Sequence, residues 1–128
     1  MGIEKTEFEP TYTKENGVWV VNIDKMGEDL PFVVIERNMV YLPPGGIGGN
    51  HKHPRIEAFV GFGETLTLLW TDERGVEQME MMNKDGRLSL FIIPSYTSHA
   101  VLNKGTRSGF LLEFASDSQH DIEKVELV

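Results

Sequence analysis

The 128-residue sequence contains no cysteine, and this absence excludes disulfides, thiolate metal sites and cysteine nucleophiles. Any bound metal ion would therefore need nitrogen and oxygen ligands. The sequence also lacks an apolar run long enough to span a bilayer. Its first ten residues, MGIEKTEFEP, carry acidic side chains where a secretory signal would have a basic and an apolar segment. We therefore expect a cytoplasmic protein with no membrane partner.

Basic side chains are also scarce. The chain has 12 Lys and Arg against 20 Asp and Glu, which gives a net charge of −8. A field of that sign repels phosphate backbones, so we expect no nucleic-acid partner. Apolar residues make up 40% of the chain and charged residues 25%, which is typical of a globular protein that buries its own core.

Short β-like runs make up most of the chain. They are rich in Val, Ile, Leu, Phe and Thr, and turn signals such as DERG and NKDG separate them. The runs GVWVVNI and PFVVIERNMVYL are among those predicted as strands, while SDSQHDIEKV has room for one helical turn at most. Many short strands with tight turns predict an all-β antiparallel sandwich or barrel. The length fits one domain over residues 1–128, with residues 1–17 as a candidate N-terminal arm.

The stretch GGNHKHPRIEAF concentrates two of the chain's four histidines, His51 and His53, with Glu57 following. Residues i and i+2 of a strand point to the same face, with α-carbons about 6.6 Å apart at about 3.3 Å per residue, so two imidazoles at this spacing can share one ion. Pro54 is expected to end the strand, and Glu57 opens the next one, within reach of the same ion. A pair of surface histidines is the competing interpretation.

A further histidine, His99, lies in IIPSYTSHAVLN, after an apolar strand, a proline and a small polar turn. It opens another apolar run. From this context alone its ring points either into the barrel or out to solvent.

These residues resemble the motifs of the cupin family. The first cupin motif is glycine, five residues, His-x-His, three or four residues, Glu, six residues and glycine. Gly45, His51, His53 and Glu57 match it, and its closing glycine comes one place early at Gly63.

The second cupin motif places Pro, His and Asn at fixed spacing, and Pro94, His99 and Asn103 match them. Two of its glycines are replaced, by Leu88 and Tyr96. The chain is thus similar to a small single-domain cupin of the type-2, RmlC-like kind. The resemblance implies a double-stranded β-helix, the antiparallel jelly-roll barrel of that family.

By the same resemblance, one divalent transition-metal ion is bound by the four motif residues His51, His53, Glu57 and His99. Family members use Mn, Fe, Ni, Co, Cu or Zn, and the ligand set does not choose among them. The resemblance also implies a homodimer, formed by exchange of N-terminal strands. Tyr96 is a candidate catalytic residue, as an acid, a hydrogen-bond donor or a lid over the metal; a surface tyrosine on a turn is the alternative.

Three functions are open at this point. The leading one is a metal-binding enzyme acting on a small polar carbonyl or sugar-type substrate, as an isomerase, epimerase or oxygenase. The second is a metal-free sugar-nucleotide isomerase or epimerase that uses a motif histidine as the base. The third is a non-enzymatic module that binds a small ligand. The fold itself does not select one, because function depends on the site.

Overall fold

The structure is a computed structural model that describes residues 2–128. Residue 1, which belongs to the predicted arm of residues 1–17, lies outside the described residues. Within that predicted arm, Glu4–Phe8 is a strand of the main sheet and Tyr12–Thr13 is half of a small hairpin. No helix within residues 2–128 is long and apolar enough to cross a membrane.

Residues 2–128 form twelve strands and one short α-helix, with a 3₁₀ turn at Lys84–Gly86. The helix α1 is Ile23–Glu28. The strands, β1 to β12 in chain order, are Glu4–Phe8, Tyr12–Thr13, Trp19–Val20, Glu36–Leu42, Ile47–Lys52, Glu57–Phe62, Leu66–Thr71, Glu77–Met81, Leu88–Ile93, His99–Asn103, Gly109–Ala115 and Glu123–Lys124.

Two five-stranded antiparallel sheets form the body of the fold. Sheet I has the strand order β1-β9-β6-β11-β4, and sheet II has the order β12-β5-β10-β7-β8. Every pair is antiparallel, and β2 and β3 form a separate hairpin. The predicted all-β antiparallel architecture is confirmed.

Two apolar clusters stabilise the two faces of sheet I. The inner one fills the space between the sheets and includes Phe59, Leu68 and Phe91. The outer one, around Val60 and Phe114, is covered by α1 and the segment that follows it. Both faces of β6 are thus buried, which agrees with the apolar run AFVGF that follows Glu57 in this strand.

Three local predictions were wrong. GVWVVNI was predicted as a strand, but only Trp19–Val20 is one, because Asn22 accepts a hydrogen bond from the Lys25 amide at 3.1 Å and starts α1. The strand predicted in PFVVIERNMVYL begins only at Glu36, since residues 29–35 cross the outer face of sheet I. The glycines of PPGGIGGN predict a loop that turns into the site, yet the second half of this segment is the first part of β5.

Candidate metal centre

The site lies between the two sheets, and the fold brings its residues from three strands. His51 is on β5 and faces His99 directly across the antiparallel β5–β10 pair. His53 follows the end of β5, and a short connection leads to Glu57, the first residue of β6 in the opposite sheet. The connection therefore folds the first motif from sheet II to sheet I, and the carboxylate meets the imidazoles across the interior.

The four side chains converge on one centre. One donor atom from each of His51, His53, Glu57 and His99 lies within 4.8 Å of the others. The three imidazole centroids are 4.8 to 5.1 Å apart. His53, Glu57 and His99 are almost completely buried, whereas His51 is only partly buried. The convergence inferred from the motifs is thus present, although ligation of an ion stays a prediction.

Backbone carbonyls orient the two buried imidazoles. The Nδ1 atom of His53 lies 3.2 Å from the Arg55 carbonyl oxygen, and that of His99 lies 2.7 Å from the Thr97 carbonyl oxygen. Since a carbonyl only accepts, each Nδ1 carries the hydrogen and donates it. In the neutral imidazole, Nε2 then has a lone pair, and in both rings this lone pair faces the centre.

Glu57 presents its Oε1 atom to the same centre. This oxygen lies 3.0 Å from the His53 Nε2 atom and 3.2 Å from the His99 Nε2 atom. The alignment is not that of a hydrogen bond, and all three atoms are buried without a hydrogen-bond partner. It is unfavourable for these three acceptor atoms to face one another without a donor, unless a cation or a proton lies between them. The donor set therefore fits a divalent ion.

The ionisation states agree with this arrangement. Burial raises the pKa of Glu57, whereas a proton donated by His53 or His99, or a positive charge on either ring, lowers it below the usual range. Burial, together with the nearby His99 and His53, lowers the pKa of His51 from 6.5 to about 4. At neutral pH the cluster thus offers an ionised carboxylate and a neutral His51 ring, the states that a metal ion requires.

A cavity of about 50 Å³ adjoins the centre, between His51, His99, Phe59 and Glu113. Gly49 is needed beside it, because its φ is +78° and an added Cβ would lie 3.1 Å from the His99 carbonyl oxygen. The close approach of β5 to β10 at this glycine keeps His51 and His99 together. A space of this size holds a few water-sized groups, not a whole sugar.

No protein-family model and no curated protein matches the chain. Solved structures do match it. The ketoisomerase QdtA of Thermoanaerobacterium thermosaccharolyticum, in complex with TDP, has a TM-score of 0.70 and 13% identity, with 97% of this chain and 88% of QdtA covered. WlaRA of Campylobacter jejuni, a TDP-fucose-3,4-ketoisomerase, has a TM-score of 0.68 and 16% identity, with 94% and 85% covered.

The capsular polysaccharide assembling protein CapF of Staphylococcus aureus also matches, with a TM-score of 0.61 and 20% identity. The match covers 77% of this chain and 28% of CapF, so the chain spans under a third of that protein. At these identities the three likenesses establish a common fold. The chain has the RmlC-like cupin fold. The jelly-roll architecture implied by the motif resemblance is thereby confirmed, and membership of the type-2 group stays a prediction.

Tyr96, predicted as a catalytic residue over the metal, lies elsewhere on this cupin fold. Its side chain is 58% exposed and lines a surface groove with Trp70 and Asp72, while the cavity beside the histidines is lined by other residues. The backbone explains this position. The φ angle of Tyr96 is +58°, and its amide donates to the His53 carbonyl oxygen at 2.7 Å. The structure thus favours the surface alternative.

Two further charged residues, Arg55 and Glu113, belong to the site, and the sequence did not assign either of them to it. Arg55, which was assigned only to the connection, is 5% exposed and contacts three carboxylates. For Glu113 the sequence left two interpretations, a general base facing a cavity and, as the favoured one, an exposed acid on a strand; the residue is 9% exposed and lines the cavity. Burial, followed by the charge of Glu57, raises the pKa of Glu113. The one available signal for Glu113 was its place inside the apolar run GFLLEF.

Proposed function

We propose that the chain is an isomerase of sugar-type compounds, which moves a carbonyl group between neighbouring carbons at the histidine cluster. The observation that carries the proposal is the convergence of three imidazoles and a carboxylate in the barrel interior. The solved structures with the same fold support the substrate class. One of them, QdtA, is a 3,4-ketoisomerase bound to TDP-4-keto-6-deoxyglucose.

The reaction needs proton transfers only. A base removes the proton from the neighbouring hydroxyl-bearing carbon while the carbonyl oxygen takes up a proton, which gives an enediol. A proton is then added to the former carbonyl carbon, and the hydroxyl group on the neighbouring carbon loses its proton to become the new carbonyl. No oxidant or reductant is consumed. The small cavity suits insertion of the reacting end of the substrate, with the remainder held outside the barrel.

A divalent ion is the first arrangement that we propose for this cluster, because three buried acceptors face one another. His51, His53, Glu57 and His99 would hold the ion, which supplies a Lewis acid for the carbonyl oxygen when bound. The imidazoles are then occupied as ligands. Glu113 is left as the titratable side chain in the cavity wall, and its raised pKa suits an acid-base role.

A metal-free arrangement is the second candidate, and the environment of His51 favours it. This ring is partly buried and lines the cavity, and its lowered pKa keeps it neutral at physiological pH. A neutral imidazole that reaches the cavity can accept a proton, although a pKa of about 4 makes it a weaker base than a free imidazole. His53, His99 and Glu57 would then share a proton and hold His51 in place.

The decisive experiment combines elemental analysis with a hydrogen-exchange assay. Purified protein, before and after chelator treatment, is incubated in D₂O with TDP-4-keto-6-deoxyglucose, and proton NMR follows deuterium incorporation beside the carbonyl group. His51→Asn should abolish incorporation, while His120→Asn, at an exposed histidine paired with Asp117 and Asp121, serves as the matched control.

The outcomes separate the candidates. Stoichiometric metal and loss of incorporation after chelation support the ion, whereas incorporation that survives chelation supports the metal-free base. Absence of incorporation across a panel of keto sugars and other carbonyl compounds, together with tight ligand binding, would instead identify a binding module. In that case the isomerase proposal is wrong.

A further inference from the structure

We propose that Arg55 is a positioning residue that holds one oxygen of Glu57 away from the histidines, so that a divalent ion binds through the other oxygen alone. The inference rests on the metal arrangement proposed above. It assigns to this buried arginine a role that neither cupin motif includes.

The guanidinium group of Arg55 is fully engaged. Its Nε and Nη2 atoms contact the Oε2 atom of Glu57 at 2.9 and 2.7 Å. Nη2 also donates to Glu113 at 2.8 Å, and Nη1 donates to Glu36 at 3.1 Å and to the Asp117 carbonyl oxygen at 3.3 Å. Because all of these contacts involve a side chain that is 5% exposed, the guanidinium plane has little freedom to turn.

The two carboxylate oxygens of Glu57 have different partners. Oε2 accepts from Arg55, while Oε1 faces the His53 and His99 Nε2 atoms without a hydrogen bond. A carboxylate that chelates an ion with both oxygens would have to turn Oε2 away from Arg55. The paired Nε and Nη2 contacts of Arg55 therefore favour ligation of the ion by Glu57 Oε1 alone, which preserves an open coordination position on the ion.

Arg55 also acts on the first motif through its backbone. Its carbonyl oxygen accepts the Nδ1 hydrogen of His53, which directs the Nε2 lone pair of that ring to the centre. One residue thus orients an imidazole and a carboxylate. Partners of this kind typically change metal affinity by about 10- to 100-fold when they are replaced.

The charges around Arg55 match a divalent ion. Glu36, Glu57 and Glu113 all contact the single guanidinium group, so one positive charge faces three carboxyl groups. Glu57 and Glu113 are buried, and Glu36 is partly exposed. Buried charge is costly without compensation, and an ion of charge +2 would supply it.

Cobalt binding tests the inference without any substrate. Ion-free wild-type protein and Arg55→Lys are titrated with Co²⁺ in competition with a chelating dye, and the visible absorption of bound Co²⁺ reports the coordination. Lysine keeps the positive charge but lacks the paired N–H groups with which Arg55 contacts Glu57 Oε2. We expect about 10- to 100-fold weaker binding and a changed absorption spectrum. Arg37→Lys, at an exposed arginine on β4, is the matched control and should change neither quantity.

A second variant keeps the test informative if Arg55→Lys does not fold. In Glu57→Gln, Arg55 requires an acceptor, so the amide oxygen must face the guanidinium group and the NH₂ group must face the two Nε2 lone pairs. We expect this variant to lose Co²⁺ binding. We also expect it to unfold at a higher temperature than ion-free wild type, because the NH₂ group of Gln donates to the Nε2 atoms that Glu57 Oε1 faces as an acceptor in the wild type.

The results distinguish the two proposals. If wild type binds Co²⁺ while Arg55→Lys keeps the same affinity and spectrum, Arg55 does not position the ligand and the metal centre stands. Glu57→Gln that retains Co²⁺ within ten-fold of the wild-type affinity overturns the role of Arg55 in the same way. If wild type binds no Co²⁺, the metal centre and the role of Arg55 both fall.

Discussion

The lowered pKa of His51 makes the ion-free protein sensitive to mild acid, and His51→Gln should remove that sensitivity. The folded chain holds this imidazole neutral, with a pKa of about 4 instead of 6.5. Between these two values the unfolded chain binds more protons than the folded chain. The stability that depends on neutral His51 is therefore present above pH 6.5 and is lost as the pH falls toward 4.

The magnitude follows from the two pKa values. Their difference corresponds to at most about 3 kcal/mol. The His51 ring is only partly buried, and solvent screening reduces the effect, so we expect wild type to lose about 1 to 1.5 kcal/mol more than His51→Gln between pH 7.5 and 4.5. His120, whose pKa is raised by Asp121 and Asp117, acts in the opposite direction, but it is present in both proteins and cancels.

Urea unfolding measures this difference. Both proteins are kept in chelator and unfolded at several pH values, with tryptophan fluorescence as the signal, since Trp70 packs against the core. Equal losses of unfolding free energy in wild type and His51→Gln would contradict the environment described for this ring. A wild-type loss confined below pH 4 would point to Glu57 instead.

Three further predictions concern other parts of the chain. Gly109→Ala should lower the free energy of unfolding by about 1 to 3 kcal/mol, because its Cβ would lie 2.8 Å from a buried Leu66 carbon; urea unfolding measures this, and an unchanged midpoint would refute it. Tyr96→Phe should leave Co²⁺ affinity unchanged, since the phenol is exposed; a large loss in the dye competition would restore Tyr96 to the site. The homodimer that the motif resemblance implies should be the form of the wild type in solution; sedimentation measures this, and a wild-type monomer would refute it.

The part of the site that the sequence predicted is the part that depends on local geometry. His51 lies on β5, His53 directly follows that strand and Glu57 opens the next one, so strand periodicity and a short connection bring them to one interior. His99 is far from them along the chain, and only the spacing of the second motif pointed to it. Once the antiparallel fold forms, it lies directly opposite His51.

Arg55 could not be assigned from the sequence because its contacts are made across the fold. Glu36, Glu113 and Asp117 are 19, 58 and 62 residues away along the chain. An arginine after a proline in a short connection looks like a surface residue until those strands assemble around it. The same assembly buries Glu113, for which an exposed strand position was the favoured interpretation.

The predicted strand boundary before β4 was wrong, because the alternating apolar residues there pack against a sheet without forming a strand. Val33 and Ile35 are 77% and 62% exposed, and they precede β4 instead of belonging to it. Alternation is a local pattern, and it does not reveal whether a neighbouring strand is available for pairing. The chain between α1 and β4 instead packs Phe32 and Val34 against the outer face of sheet I.

The residues of the cluster lie at positions of different stability in the two sheets. Glu57 belongs to β6, the central strand of sheet I, whereas His51 belongs to β5, which is flanked on one side by the two-residue strand β12. Local opening is easiest where few backbone hydrogen bonds must break, so β12 and β5 would separate long before β6 moves. A bound ion would then exchange with solvent by first releasing His51, and its residence time would depend on the short C-terminal strand.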